Sequence, residues 1–382
     1  MKKYIGAFGG YGENVTVFGE SAGAGMYHSV LLGGVTDVRI ASVLYQLHSK
    51  EPLFNRPISM SGTPVMLKPL AMGVAEMSYT SIIKSFGLEG ASAAERIERL
   101  KSASSEELVE KTPMSVPLLP FLQDAIIPKL TVPPLPHQDD ATVPSRTTFA
   151  KLATAAGSTK DSVPGFKWCE SLLIGSTKHD GSVFLFMGLS QRKSGIATTL
   201  ATSLHKHISG DAAMAILDAY DITPTTSDDE ALQRIIDFAT DIAYVAPALA
   251  YARVFPGKSY LYNFDELNPW DGPLKGLSTH MLDAAYLFQN FNEDLSEKAR
   301  EVTKTFAMDF VRFANGVEPW EKYTKEKGTC RVYGPSEKCV VGVLEGDGWA
   351  TGRRNTLWRL SEGGKVDLDP ISVAWDMFVA GR

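Results

Sequence analysis

The sequence predicts an α/β fold built on a largely parallel sheet, and three observations carry that expectation. Short apolar or β-branched runs, within 14–19, 56–62, 169–182 and 258–264, alternate with long helical stretches. The first run, NVTVFG, passes directly into GESAG, a serine set between glycines ahead of small residues. No internal repeat is present, and 382 residues with 44% hydrophobic content can bury a large core.

Taken in order, residues 14–19 read as a buried strand ended by glycine. SAGAGMYHSVLLGG then reads as a helix packed closely on the sheet, and RPISMSG (56–62) as a second strand. Residues 72–112 read as helical, with SAAE a capping box ahead of an amphipathic stretch. Residues 113–165 are rich in Pro, Ser and Thr and read as a long loop exposed near 137–147. CESLLIGSTKHDGS (169–182) is a third strand running into a polar turn. Residues 189–256 are mostly helical, with a restart at Ser227 and Asp228, and KSYLYNF (258–264) is a fourth strand. A polar turn leads into a helix through MLDAAYLFQNF, and 295–315 is amphipathic and stops at Asn-Gly. VVGVLEGDGW and a final helix near 370–379 complete the chain, read as one domain over 1–382 with 63–165 as a cap-like or lid-like insertion.

Composition excludes several classes. A net charge of −6 with scattered Lys and Arg argues against a nucleic-acid partner. Three cysteines cannot form a disulfide framework; Cys330 and Cys339 could close a short loop, but free thiols are the default. MKKYIGAFGG is too short in apolar residues for a signal peptide, so a cytoplasmic chain without an export signal is expected. IIDFATDIAYVAPALAYARVF carries two aspartates and a proline and reads as a buried helix, not a membrane span. No Walker loop, dinucleotide fingerprint, zinc spacing or EF-hand loop occurs, so no cofactor and no metal is expected.

The chemistry centres on Ser21. G-x-S-x-G between a strand and a helix forms a nucleophile elbow, in which the backbone turns sharply and presents the hydroxyl. Side chains at Gly19 and Gly23 would clash with the neighbouring strand and helix, and the Ala22 amide would face a developing oxyanion. A serine needs a base. Of seven histidines, His28 falls behind the elbow, His48 and His137 in exposed polar contexts, His205 and His207 at a helix end, and His179 in a turn. The chain order Ser…acid…His selects His280, after the fourth strand, as base and Asp180, after the third, as the acid that orients it. The alternatives are a loop histidine that caps the next helix and an ordinary Asp-Gly turn. Glu20 either tunes the site or is a hydrogen-bonded buried carboxylate. Phe184, Trp270 and Phe288 either line a pocket or pack in the core.

FGGYGENVTVFGESAGA (8–24), GSTKHDGSVF (175–184) and GLSTHMLDAAYLFQNFN (276–292) resemble the serine, acid and histidine segments of the type-B carboxylesterases, the cholinesterase and fungal lipase group of the α/β-hydrolases. RPISMSGTPVM, SDDEALQRIIDFATDIAYVAPALAYA and YNFDELNPWDGP are similar to fungal members, and FVRFANGVEPW resembles the usual C-terminal helix of the family, so the resemblance spans essentially the whole chain. It implies an α/β-hydrolase fold and hydrolysis of small carboxylic esters through an acyl-enzyme. Two departures stand out. The family more often has glutamate where this chain has Asp180. Its members also carry a long segment ahead of the serine, with the first strands and an HGGG oxyanion loop, whereas no HGG occurs in this sequence. The expectation is therefore a member that lacks its N-terminal strands, is weakened in turnover and self-associates through an exposed sheet edge. An impaired or non-catalytic paralogue and a lipase for long-chain esters are the competing readings.

Overall fold

The computed structural model describes residues 4–25, 27–29, 39–41, 43–68, 72–113, 147–155, 163–335, 338–343 and 353–381. Its strands are β1 (Thr16–Glu20), β2 (Tyr27–Ser29), β3 (Arg39–Ala41), β4 (Arg56–Met60), β5 (Ser171–Thr177), β6 (Lys258–Phe264), β7 (Thr329–Tyr333) and β8 (Cys339–Val343). Six of them form one sheet in the order β1-β4-β5-β6-β7-β8. Every pairing is parallel except β7 with β8.

Both faces of the central strands are covered, which is why they read as near-continuous apolar runs. Alternation sends Leu172 and Ile174 of β5 to one face and Leu173 to the other. The first face packs on the helices Ile196–His207, Asp228–Thr240, Ala246–Val254 and Leu368–Val379, through Leu200, Phe238, Leu249 and Trp375. The second packs Tyr260, Tyr262 and Phe264 against Tyr286, Phe306 and Phe313 from the helices Leu282–Leu287 and Glu297–Ala314. The expected apolar stretch lies inside a helical run over Asp228–Val254, of which the most apolar window is 94% buried; it is a core helix.

Local signals set several boundaries. Ser92 and Glu95 form the expected capping box, Ser227 caps the helix at 228, and Asn315 ends the helix at 314. Other expectations are corrected. The helical region at 72–112 is three helices, Met72–Ser85, Ala93–Ser102 and Ser105–Lys111. The helix expected beyond the elbow covers only Ala22–Gly25, and Tyr27–Ser29 instead pairs antiparallel with Arg39–Ala41. β7, which follows a charged stretch, is a strand beyond the four that the apolar runs predict. Within the expected insertion at 63–165, residues 69–71, 114–146 and 156–162, including His137 and most of the stretch 137–147, lie outside the described residues, as does most of VVGVLEGDGW.

His48 is the clearest reversal. Its neighbours in sequence are polar, yet it is 6% exposed, and both ring nitrogens are buried without a hydrogen-bond partner. Burial, with the nearby Lys151 charge, pushes its pKa down to about 4. A histidine that is neutral when folded but titrates at 6.5 when unfolded stabilises the fold above that value. The contribution is lost as pH falls from 6.5 toward 4, by about 1.4 kcal/mol per unit. Chemical denaturation at pH 7 and pH 5 should therefore show a drop in stability that His48→Phe reduces. An unchanged pH dependence in that variant would refute the assignment.

Candidate active site

β1 runs without a break into the elbow. Ser21 takes a left-handed conformation, φ 52°, and its N–H donates to the Met60 carbonyl (2.8 Å), holding the turn against the end of β4. A Cβ on Gly19 would lie 2.2 Å from the Gly23 carbonyl oxygen, so only glycine fits there. Gly62 has the same constraint: its Cβ would lie 2.2 Å from the Ser21 carbonyl oxygen. The expectation for Gly23 is not met, because a Cβ there meets nothing within 4 Å among the described residues. It is the Gly23 backbone, not an added side chain at 23, that crowds Gly19. Ala22 opens the short helical turn, where first-turn N–H groups have no intrahelical acceptor.

Asp180 and His280 lie in the turns after β5 and β6. Asp180 is fully buried. The Thr177 N–H donates to its Oδ2 (2.9 Å) and the Thr177 hydroxyl to its Oδ1 (2.8 Å). The Gly181 N–H donates to Thr240 Oγ1 (2.8 Å), tying this turn to the helix behind it. The two turns are stitched together. The Lys178 N–H donates to the Phe264 carbonyl (3.0 Å), the His179 N–H to the Ser278 carbonyl (2.8 Å) and the His280 N–H to Ser182 Oγ (3.3 Å). His280 Nδ1 then lies 2.8 Å from Asp180 Oδ1, and His280 Nε2 lies 2.8 Å from Ser21 Oγ. An ionised Asp180 can only accept, so Nδ1 carries the proton and Nε2 is left to accept from the serine hydroxyl. Three side chains separated by 159 and 100 residues thus form one continuous relay at the carboxyl ends of three parallel strands.

Other carboxylates surround the imidazole. Glu20 Oε1 is buried, lacks a hydrogen bond and lies 3.4 Å from His280 Nε2. Burial, with Asp283 and Asp180 nearby, pushes its pKa up to about 8 against the pull of His280, so it is neutral at pH 7. Asp283 is fully buried, accepts from the Tyr262 hydroxyl (2.8 Å) and is raised to about 6, chiefly by burial. For His280, burial works to lower the pKa, but the hydrogen bond to Asp180 and the charge of that carboxylate carry it above its ordinary 6.5. Tyr244 packs its ring against the imidazole, with centroids 5.2 Å apart.

Thr177, Tyr244 and Asp283 were not singled out from sequence. A signal existed for Asp283, a lone acid in the apolar MLDAAYLF three residues after His280. Of the three aromatic candidates, Phe184 is core, packed edge-on to Trp375 at 4.9 Å, and Trp270 packs on Phe291 at 5.3 Å. Phe288 is 56% exposed and lies 6.2 Å from Phe18 of β1, the outermost strand of the sheet among the described residues. Of the other histidines, His28 is in β2, while His205 and His207 are in the helix Ile196–His207. All three cysteines are free thiols. Among the described residues, no cluster of His, Cys, Asp and Glu is arranged to hold a metal ion.

Comparison with known proteins agrees with this architecture. Residues 1–338 match the model of the carboxylesterase family. The chain is 24% identical over 344 residues to the para-nitrobenzyl esterase of Bacillus subtilis (strain 168), covering 85% of this chain and 59% of that protein. Among solved structures, a PNB esterase superposes with a TM-score of 0.56 at 18% identity, over 90% of this chain and 65% of that one. A carboxylesterase of Geobacillus stearothermophilus superposes with a TM-score of 0.59 at 22% identity, over 89% and 64%. The chain thus spans about three fifths of the length of its curated relative. Its mostly parallel sheet covered by helices on both faces is the α/β-hydrolase fold that these structures share, and with the family model matched over residues 1–338 the chain belongs to the carboxylesterase family.

Proposed function

We propose that this chain hydrolyses small carboxylic esters through a covalent acyl-enzyme. The observation that carries the reading is the unbroken relay Ser21–His280–Asp180, with 2.8 Å at each link. His280 Nε2 takes the Ser21 proton as Oγ bonds to the acyl carbon. The imidazolium then gives that proton to the leaving alkoxide as the ester C–O bond breaks. Water, deprotonated by the same nitrogen, attacks the acyl-serine, and the acid leaves as Ser21 regains its proton. Asp180 holds the tautomer and offsets the imidazolium charge without itself changing protonation state. The Ala22 N–H is the donor to the oxyanion, and a single such donor is worth about 10²–10³ in rate. The relative named for para-nitrobenzyl esters supports an ester of a small aromatic alcohol as a first substrate to try.

The direct test is turnover of p-nitrophenyl esters of increasing acyl length. The proposal expects saturable hydrolysis that is fastest for short acyl chains. A preference for long chains at a lipid interface would make the protein a lipase, and no turnover at any length would refute the reading.

The pH profile gives a second check. A base must be neutral to accept a proton, so kcat/KM should fall as pH drops through the His280 pKa, with a midpoint above 6.5. Glu20→Gln copies the protonated form that prevails at pH 7 and should leave kcat/KM there little changed. A midpoint well below 6.5 in the wild-type protein would contradict the arrangement around His280.

A further inference from the structure

Arg353 lies in the C-terminal segment, beyond the residues that match the family model. Its guanidinium adds a second link, beside that of Thr240 to the Gly181 N–H, between the turn that carries Asp180 and the helical run over Asp228–Val254. Nη1–H donates to the Asp237 carbonyl (2.9 Å) and to Asp241 Oδ1 (2.9 Å), while Nη2–H donates to the Lys178 carbonyl (2.7 Å). Lys178 follows directly on β5 and sits two residues before Asp180. Asp241 opens a π-turn over Asp241–Val245, and Tyr244 of that turn packs on the His280 ring. One cation therefore spans the backbone that carries the acid and the turn that backs the base.

We infer that Arg353 is a positioning residue for the Ser21–His280–Asp180 relay, holding the Lys178 carbonyl and the Asp241–Val245 turn at the spacing that lets Asp180 meet His280 Nδ1. The inference rests on the ester-hydrolase reading for its kinetic consequence, but its geometry does not need it. The groups facing the guanidinium are the Asp237 carboxylate at 3.5 Å, Asp241, itself held by the Tyr220 hydroxyl at 2.8 Å, and more remotely Asp265. Asp241 is fully buried. The guanidinium fork reaches two carbonyls and a carboxylate from two separate nitrogens in one plane, whereas a lysine must reach all of its acceptors from a single nitrogen. Displacing a reacting group by about 1 Å from a site remote from the chemistry is enough to cost about 10²-fold in rate.

The experiment uses the whole chain and two variants. Arg353→Met combined with Asp241→Asn removes the guanidinium and the fully buried carboxylate together, so that only the partly exposed Asp237 carboxylate loses its cation. Arg353→Lys keeps the charge and loses the fork. For each, thermal unfolding, kcat and KM for p-nitrophenyl butyrate, and the far-downfield proton resonance of His280 Nδ1–H bonded to Asp180 are measured. Folded variants should lose or broaden that resonance and drop in kcat by about 10- to 100-fold with KM little changed. Arg353→Lys alone decides the matter if the double variant does not fold. A folded variant that keeps both the resonance and the wild-type kcat overturns the inference. If the wild-type protein shows the resonance but no turnover, the ester reading fails while the variants still test the positioning role through the resonance.

Discussion

Ser21→Ala should end covalent labelling by an organophosphonate ester and lower ester turnover by on the order of 10⁶, the loss that removing a triad nucleophile produces in serine hydrolases. The expectation follows from the elbow. The Ser21 hydroxyl is the atom that His280 Nε2 faces at 2.8 Å, and among the described residues no other serine is placed on that nitrogen. Alanine must take the same left-handed backbone, φ 52°, so the substitution relieves no backbone strain and leaves the Met60 contact of the Ser21 N–H in place. The unfolding temperature should therefore change little while the rate collapses. Because nucleophile and base act as a unit, Ser21→Ala with His280→Ala should be scarcely worse than either alone. Mass spectrometry of the labelled protein reads the result directly: a label found at another serine, or one that persists in Ser21→Ala, refutes the assignment.

How much of this was legible beforehand depends on where each constraint resides. Ser21 was readable because its signal is local: a β-branched run, two glycines and small residues within twelve positions. Asp180 and His280 were readable by chain order, since each sits in a polar turn that follows an apolar run. What escaped depends on tertiary approach. Thr177 holds Asp180 only because the turn folds back on the end of β5. Gly62 reads as the trailing residue of a strand, and its need for a missing side chain appears only when the Ser21 backbone lies against it. Gly23 erred in the opposite sense: a motif position was credited with a clash that its own surroundings do not supply. His48 has polar neighbours in sequence, whereas its burial is decided by what packs over it in the fold. Arg353 was invisible because its partners lie 112 and 175 residues away. β7, TCRVY, follows the charged stretch EKYTKEKG and carries Arg331 at its centre, a charge that only Asp309 across the fold makes tolerable there.

Asp180→Asn should lower kcat by about 10⁴ with little change in KM, and the hydrogen bonds around the carboxylate say why. The Thr177 N–H is a fixed donor aimed at Oδ2, while the Thr177 hydroxyl can rotate to donate or accept. An asparagine at 180 has one carbonyl and one NH₂ to place at those two positions. If the NH₂ faces the Thr177 N–H, two buried donors confront each other, at a cost of about 1–3 kcal/mol. The reverse orientation satisfies Thr177 completely and is the one the site selects. It aims the NH₂ at His280 Nδ1, which must then accept, so the ring proton moves to Nε2. That nitrogen faces Ser21 at 2.8 Å and can no longer take its proton. Glu20 cannot substitute, because its carboxyl lies 3.4 Å from Nε2, on the serine side of the ring. Asp180→Glu keeps an acceptor toward Nδ1 and restores the residue more common in the family, so measurable activity should remain. An Asp180→Asn protein that matches the wild type in both kcat and unfolding temperature would mean that neither orientation costs anything, and Asp180 would then not be the group that sets the tautomer of His280.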